Sequence, residues 1–399
     1  MKIIVNTSTF KQSEDDPSPN FINNLLINMS DKNTFFVLYP RKMEKLKNKK
    51  IKENIFLLPY SYLVPRRYST ISKYGIYPSI RQNKLNILSV LLLITSQFVN
   101  LIRLCVKVKP DFIYSHWLFP QAFVSSIVGK IFKIKVVFTS HGSDIKILKK
   151  FGFLGDFVIN FTLKNSLKFT SVSKHNLSLI KKDTNIENLP NHSVIPMGVD
   201  DIFYESRIKP VVKNNPEINI LYYGRFIEYK GIDLLIEAIK ILVCEFKKIH
   251  LTLIGSGSYN QILHKQIKNS NLEKNVEIIG FLKQIDLIDH IDTSDLVVIP
   301  SKVTPTEVEA GPLTLIEAMA RGKVCIASDS IGFSQYLSNS NALIFKSNSA
   351  EELYQALLRG IELGPEMKKK LSKNSKTTSL NFRYSIISSN TEKFLFNKL

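Results

Sequence analysis

The sequence predicts an α/β protein built from two Rossmann-like, doubly wound domains. Three observations carry that prediction. At 399 residues the chain exceeds what one continuous core usually holds. Short, almost wholly apolar runs alternate with helical patterns, as expected of parallel strands covered on both faces by crossover helices. The rhythm then breaks around residues 202–216 and restarts.

In the first half, "KIIVNTS" is followed by the helical "NFINNLLINMS", and "FFVLYP" by a basic run. "FIYSHW" leads into "AFVSSIVGKIF", and "KVVFTSHG" into "FVINFTLKNSLKFTSVSKHNLSLIKK" and "HSVIPMGVD". After the prolines, asparagines and charges of "ESRIKPVVKNNPEINILYYG", the pattern resumes with "INILYYG", "GIDLLIEAIKIL", "HLTLIGSG", a helix near 259–269, "VEIIGF", "DLIDHIDTS", "LVVIPS", "PLTLIEAMARG", "KVCIAS", "NALIFK" and "AEELYQALLRGI". The expected division is a first domain over 1–205, a second over 217–375, and a terminal helix within 376–399 that packs back on the first domain. Ligands are expected at the strand ends of such open sheets.

Composition narrows the function classes. Hydrophobic residues at 44% and charged residues at 22% exclude a disordered chain. Residues 1–200 carry 29 Lys/Arg against 12 Asp/Glu, whereas residues 201–399 carry 25 against 22. The basicity thus belongs to the first half and suits phosphates or anionic lipid headgroups, unless the lysines are simply solvated. No base-reading motif accompanies it, so nucleic acid is not an expected partner. Cys105, Cys244 and Cys325 lack pairing or metal-ligand spacing and read as core residues of a reducing compartment. "MKIIVNTSTF" enters a strand after one lysine, with no signal-peptide layout. "ILSVLLLITSQFVNLIRLC" (87–105) is interrupted by polar residues and reads as a buried helix, with a membrane-contacting surface helix as the alternative.

Chemistry concentrates in a few stretches. In "YYGRFIEYKG", Arg225 and Lys230 follow a strand that ends at Gly224. Two cations at a strand end suit a diphosphate, and an ordinary surface position also accounts for them. Gly255-Ser256-Gly257 follows another strand, and a tight strand-to-helix turn explains it as well as a dinucleotide site does.

In "EAGPLTLIEAMARGK", Pro312 fits a first helical turn, which puts Glu309 in the preceding loop and Glu317 inside the helix. Amides of Gly311, Leu313 and Thr314 would meet an anion there, while the carboxylates would grip hydroxyls. A glycosidase-like acid–nucleophile pair needs a separation that nothing in the sequence fixes, and helix capping without a ligand is the bland alternative. In the first half, His141 of "TSHGSD" and His116 of "SHWLFP" end strands, where each can meet a ligand or serve a structural role.

Together, "SHWLFP", "TSHGSD", "SVSKHN", "VIPMGVD", "YYGRFIEYKG", "LIGSGS", "IIGF", "VIPS" and "EAGPLTLIEAMARGKVCIAS" resemble the retaining GT-B glycosyltransferases of family 4 type, the glycosyl transferases group 1. The resemblance implies two Rossmann-like domains facing a central cleft. It implies that Arg225 and Lys230 hold the donor diphosphate, that Glu309 faces the transferred sugar, and that Glu317 grips the nucleotide ribose. Gly311, Pro312 and Leu313 match the loop that contacts sugar and phosphate, Gly255 falls among the donor-binding positions, and Phe281 lies near the base. His141 matches the histidine beside the reacting centre, and joins Glu309, Arg225 and Lys230 as the implied catalytic set. The glycine-rich loop common after the first strand is replaced by "TFKQSEDDPSPNFINN", so the acceptor side departs from the family.

The implied activity is metal-independent retaining transfer from a UDP- or GDP-sugar donor to a glycan or lipid-diphosphate-linked acceptor. It uses no cofactor and serves surface polysaccharide synthesis on the cytoplasmic face of the membrane. "RKMEKLKNKK" (41–50) and "YLVPRRYSTISKYGIYP" (62–78) are the expected contacts to an anionic membrane surface. The alternative is a catalytically silent glycosyltransferase-like partner protein, which would be expected to have lost Arg225, Lys230, Glu309 and Glu317.

Overall fold

The computed structural model describes residues 1–11, 20–41, 50–63, 83, 86–184, 189–205, 217–246, 248–304 and 308–397. The region replacing the glycine-rich loop and both basic–aromatic stretches therefore lie largely outside the described residues. The chain forms two compact units, Met1–Gly198 with Tyr384–Leu399, and Val199–Arg383.

The first unit holds an eight-stranded sheet of β1 (Lys2–Asn6), β2 (Thr34–Pro40), β3 (Lys50–Lys52), β4 (Ile55–Tyr60), β5 (Phe112–His116), β6 (Lys135–Ser140), β7 (Lys168–Ser171) and β8 (Asn191–Val194). Its order is β3-β4-β2-β1-β5-β6-β7-β8, parallel throughout except for β3 against β4. All five residues of β5 are buried, which is why its opening "FIY" is apolar without alternation. The β3–β4 edge has no counterpart in the sequence reading, because β3 is a three-residue "KIK" and β4 carries Pro59.

The helix Asn86–Val108 is long and apolar enough to cross a membrane by length and composition. Its buried positions Val90, Leu93, Gln97, Leu101, Leu104, Cys105 and Val108 form one stripe. That stripe belongs to the core beside Ile4, Ile113, Val124 and Val136. The opposite face leaves Leu88, Leu91, Val99 and Val106 exposed, so the expected buried helix is buried on one side only.

The second unit holds β9 (Ile218–Tyr223), β10 (Ile249–Ile254), β11 (Val276–Ile279), β12 (Leu296–Ile299), β13 (Val324–Ser328) and β14 (Leu343–Phe345). They are all parallel, in the order β11-β10-β9-β12-β13-β14. This is the doubly wound order with its switch between β9 and β12, the place where a crevice opens at the strand carboxyl ends.

The boundaries differ from the expected ones. Asp201–Tyr204 belongs to the second unit, held there by Arg321, which donates to the Glu205 carbonyl at 2.5 Å and to the Asp292 carboxylate. The tail contains two helices where one was expected. Pro365–Leu380 stays with the second unit, and Tyr384–Phe396 packs in the first. There Phe396 meets Phe112 and Tyr114, and the Ser388 hydroxyl donates to the Leu25 carbonyl. The apolar spacing of "YSIISSNTEKFLF" marks that helix, but its partner strands lie over 200 residues away in sequence, out of reach of local pattern reading. Cys105 and Cys325 are buried, whereas Cys244 is exposed, a correction to its reading as a core residue.

Candidate functional site

The second unit gathers most of the candidate residues at the switch between β9 and β12. β9 ends at Tyr223, and Gly224 (φ 144°) turns the chain into a loop carrying Arg225, Tyr229 and Lys230. That loop is pinned from two sides. A Cβ on Gly255 would stand 1.9 Å from the Gly224 carbonyl oxygen, and Phe226 N donates to the Ser256 carbonyl at 2.9 Å. On the other side Gly231 (φ 68°) lies so close to Pro300 that a Cβ would meet its carbonyl oxygen at 1.9 Å, and Lys302 N donates to the Tyr229 carbonyl. Glycine is required at both places for close backbone approach. Gly255 therefore supports the Arg225 loop through its backbone.

Arg225 is exposed, and its guanidinium donates to the Tyr229 hydroxyl at 2.8 Å. Tyr229 is nearly buried, so the arginine has a fixed root, and its guanidinium has no carboxylate partner among the described residues. Lys230 donates to the Glu309 carboxylate in an ion pair with both side chains largely withdrawn from solvent. The Lys230 ammonium also sits 5.6 Å from the Tyr229 ring centre. An ammonium carries three donors, so one carboxylate does not exhaust it.

Glu309 lies in the loop ahead of the Leu313–Ala320 helix, as its sequence position predicts. Its carbonyl accepts from Gly332 N at 2.7 Å, and Gly311 packs so tightly against the Phe333 ring that a Cβ would stand 2.5 Å away. Pro312 caps the helix from just outside, one residue earlier than expected, and Leu315 N donates to its carbonyl. The positive end of the helix dipole is thus presented at the loop that holds Glu309.

Glu317 lies inside the helix in different surroundings. Burial raises its pKa to about 8, the Asp200 carboxylate adds to the rise, and a hydrogen bond with the Tyr223 hydroxyl holds part of it back. That help is partial, because the same hydroxyl donates its single hydrogen to the Thr314 carbonyl at 2.6 Å. Successive residues of a strand face opposite ways, so Tyr222 and Tyr223 lie on the two sides of β9. Glu309 acts on the Tyr222 side and Glu317 on the Tyr223 side. The two carboxylates have separate partners and are not a coupled acid pair.

Phe281 follows β11 and is 75% exposed, an unusual place for a large apolar ring. Tyr229, Tyr222, Tyr223 and Asp200 were not singled out from the sequence, although Tyr229 stands four residues after Arg225 in the same quoted stretch.

His141 belongs to the first unit. Its Nε2 lies 3.2 Å from Nδ1 of His116, which is fully buried at the end of β5. Phe21, Trp117 and Tyr114 surround the pair. Burial depresses both imidazoles, His141 to about 3 and His116 well below its usual value, so both are neutral at pH 7. The Asn176 amide donates to the His141 carbonyl and fixes the following turn at Gly142 (φ 94°).

With that geometry in place, comparison with known proteins is specific. Residues 204–378 match the family model described as Glycosyl transferases group 1, and residues 70–173 match Glycosyl transferase 4-like. An uncharacterized glycosyltransferase of Methanocaldococcus jannaschii is 29% identical over 279 residues, 69% of this chain and 72% of that protein. The amylovoran biosynthesis glycosyltransferase AmsK of Erwinia amylovora is 27% identical over 42% of this chain, which spans 41% of the length of that relative. The crystal structure of Anabaena HepE in complex with UDP-glucose has a TM-score of 0.71 at 17% identity, covering 98% of each chain, a likeness of fold.

Proposed function

We propose, for a chain that belongs to the GT-B glycosyltransferases of group 1, that it moves a glycosyl unit from a nucleoside-diphosphate sugar to an acceptor hydroxyl with retained anomeric configuration. The observation that carries this reading is the convergence, at the carboxyl ends of β9 and β12, of the Arg225 loop, the Lys230–Glu309 pair and the N-terminal end of the Leu313–Ala320 helix. Cleavage of the donor bond develops negative charge on the diphosphate and positive charge on the sugar ring. Arg225, Lys230 and the helix amides oppose the first without a metal ion, and fixed donors of this kind supply much of a transfer rate.

In this reading Glu309 holds Lys230 in place and faces the transferred sugar. Glu317 accepts from the ribose diol, Phe281 lies against the base, and Gly311, Pro312 and Leu313 line the sugar–phosphate contact. His141 is assigned to the acceptor reaction as a neutral hydrogen-bonding group, since an imidazole held to about 3 is a poor base. The acceptor hydroxyl attacks the face that the diphosphate leaves and passes its proton to a leaving phosphate oxygen. A UDP-sugar is the favoured donor, supported by the HepE complex with UDP-glucose, with a GDP-sugar as the next to test. The acceptor in this reading is a glycan or lipid-diphosphate met at the cytoplasmic face of a membrane in surface polysaccharide synthesis; the Erwinia relative, a glycosyltransferase of amylovoran biosynthesis, supports the biosynthetic part of it.

The test is a panel of UDP-, GDP- and ADP-sugars, screened by thermal shift and then by donor hydrolysis and product anomer. Stabilisation by one nucleoside series, at about 2.7 kcal/mol for ligand at a hundredfold its Kd, is expected. Absence of any shift and any hydrolysis across the panel overturns the assignment.

A further inference from the structure

We propose that His116 is a positioning residue: its Nδ1–H is donated to His141 Nε2 and holds His141 in the tautomer with hydrogen on Nδ1, so that His141 meets its ligand as a hydrogen-bond donor whose lone pair is already taken. The inference deepens the preceding reading and rests on it for the role of His141. His116 ends β5 and His141 follows β6, two strands that pair in parallel with His116 opposite Thr139. His141 Nε2 and His116 Nδ1 are 3.2 Å apart, and the ring centres stand 5.5 Å apart with the planes tilted by 28°. The difference between the two distances is the sum of the ring radii. Both nitrogens therefore lie close to the line between the centres, where a lone pair on one ring faces an N–H on the other.

Two neutral imidazoles share a single hydrogen across such a contact, so one ring donates and the other accepts. Burial keeps both rings neutral at pH 7. The remaining nitrogen of His116 decides the direction. That Nε2 is buried and has no hydrogen-bond partner among the described residues. The rings of Tyr114, Phe21 and Trp117 pack around His116, at 4.6, 6.2 and 6.4 Å between centres. The Tyr114 hydroxyl is turned to the Thr139 hydroxyl at 2.7 Å. A hydrogen on Nε2 would thus be a buried donor among aromatic rings, and in folded proteins an orphaned N–H is a rarer defect than an unmet acceptor. The hydrogen of His116 is therefore on Nδ1 and points at His141. His141 in turn carries its hydrogen on Nδ1, a nitrogen with no partner among the described residues, on a half-buried ring. Trp117 and Phe21 pack against that ring at 4.7 and 5.2 Å between centres, and the Asn176 amide holds the His141 carbonyl at 3.1 Å, so the imidazole has little freedom to turn. An Nδ1–H suits an oxygen with a free lone pair, such as that of a sugar hydroxyl or a phosphate. It takes no proton from an acceptor hydroxyl, which leaves that proton to the departing phosphate oxygen.

The test is long-range proton–nitrogen NMR at pH 7 on the full chain labelled in its histidine ring nitrogens, with the His141 signals identified as those lost in His141→Gln. The wild-type chain is expected to show a protonated Nδ1 and a bare Nε2 for His141. His116→Leu removes the donor. It is expected to mix the two tautomers of His141 and to lower kcat for hydrolysis of UDP-, GDP- or ADP-glucose about tenfold at unchanged KM, the loss of one hydrogen bond. His116→Asn keeps an N–H where Nδ1 stood and is expected to restore the single tautomer and most of kcat. A role in packing alone predicts the reverse order, with Leu better tolerated than Asn among the aromatic rings. A wild-type His141 with its hydrogen on Nε2 overturns the proposal, as does a His116→Leu chain with an unmixed tautomer or undiminished hydrolysis. If His116→Leu does not fold, the wild type and His116→Asn decide the matter by the same signature. The expected tautomers with none of the three nucleotide-sugars hydrolysed uphold the pair and remove the transferase reading.

Discussion

Lys230 and Glu309 form an ion pair across 79 positions of sequence, joining the loop after β9 to the loop ahead of the Leu313–Ala320 helix. Neither side chain is more than slightly exposed, so removing one partner leaves the other with little water to replace it.

Lys230→Ala is expected to leave the Glu309 carboxylate unpaired and to lower stability by about 2–4 kcal/mol. Lys230→Ala combined with Glu309→Gln should recover much of that loss in denaturant unfolding, while transfer stays abolished. Recovery of transfer together with stability would show that the pair is a scaffold and nothing more.

Glu317 gives a signed pH dependence. Its carboxyl titrates near 8 in the folded protein against an ordinary value of 4.5, so the folded state keeps a proton that the unfolded state releases. This contribution is complete below about pH 4.5 and is lost as pH rises toward 8, a decline on the order of a few kcal/mol. Glu317→Gln should flatten that decline in urea unfolding measured from pH 5 to 8.5. If ribose binding ionises the carboxyl, nucleoside-diphosphate affinity rises over the same range and binding releases a proton, and calorimetry in buffers of different ionisation heat would detect it.

Phe281→Ala should leave the melting temperature unchanged, because the ring is largely in solvent. Stacking on a base is worth about 1–3 kcal/mol, so affinity for a nucleoside diphosphate should fall roughly five- to hundredfold, with pyrophosphate binding unaffected. An equal loss for both ligands in titration calorimetry would place the ring away from the base.

The buried His116 and half-buried His141 imidazoles predict an absence in the rate profile. With His141 held to about 3 and His116 lower still, transfer should show no inflection between pH 5.5 and 7 from either ring. Their depressed pKa values make stability fall as pH drops below 6.5, since the unfolded chain takes up protons that the folded chain refuses. His116→Gln should reduce that acid sensitivity in unfolding curves measured from pH 4 to 7.

The fold was legible because parallel strands covered on both faces carry apolar residues on both, as the "FIY" of β5, the "VVF" of β6 and the "LVVI" of β12 do. The site was legible in part. Arg225, Lys230, Glu309 and Glu317 stand in two short stretches whose glycines and proline announce turns at strand ends. Tyr229 was not legible as the arginine's anchor, because its significance depends on nearly complete burial beside the Arg225 guanidinium. The position of the unit boundary was missed because Arg321, far downstream, holds residues 203–205.

The amino-acid order by itself determined two open α/β sheets, the strand ends at which the candidate residues stand, and the excess of positive charge in the first half, since all three follow from local periodicity and composition. Tertiary structure alone decided that Lys230 is bound to Glu309, that Glu317 keeps a proton near neutrality, and that His116 and His141 are an uncharged pair. Ionisation and exposure depend on neighbours brought together from distant positions, and no local pattern specifies them.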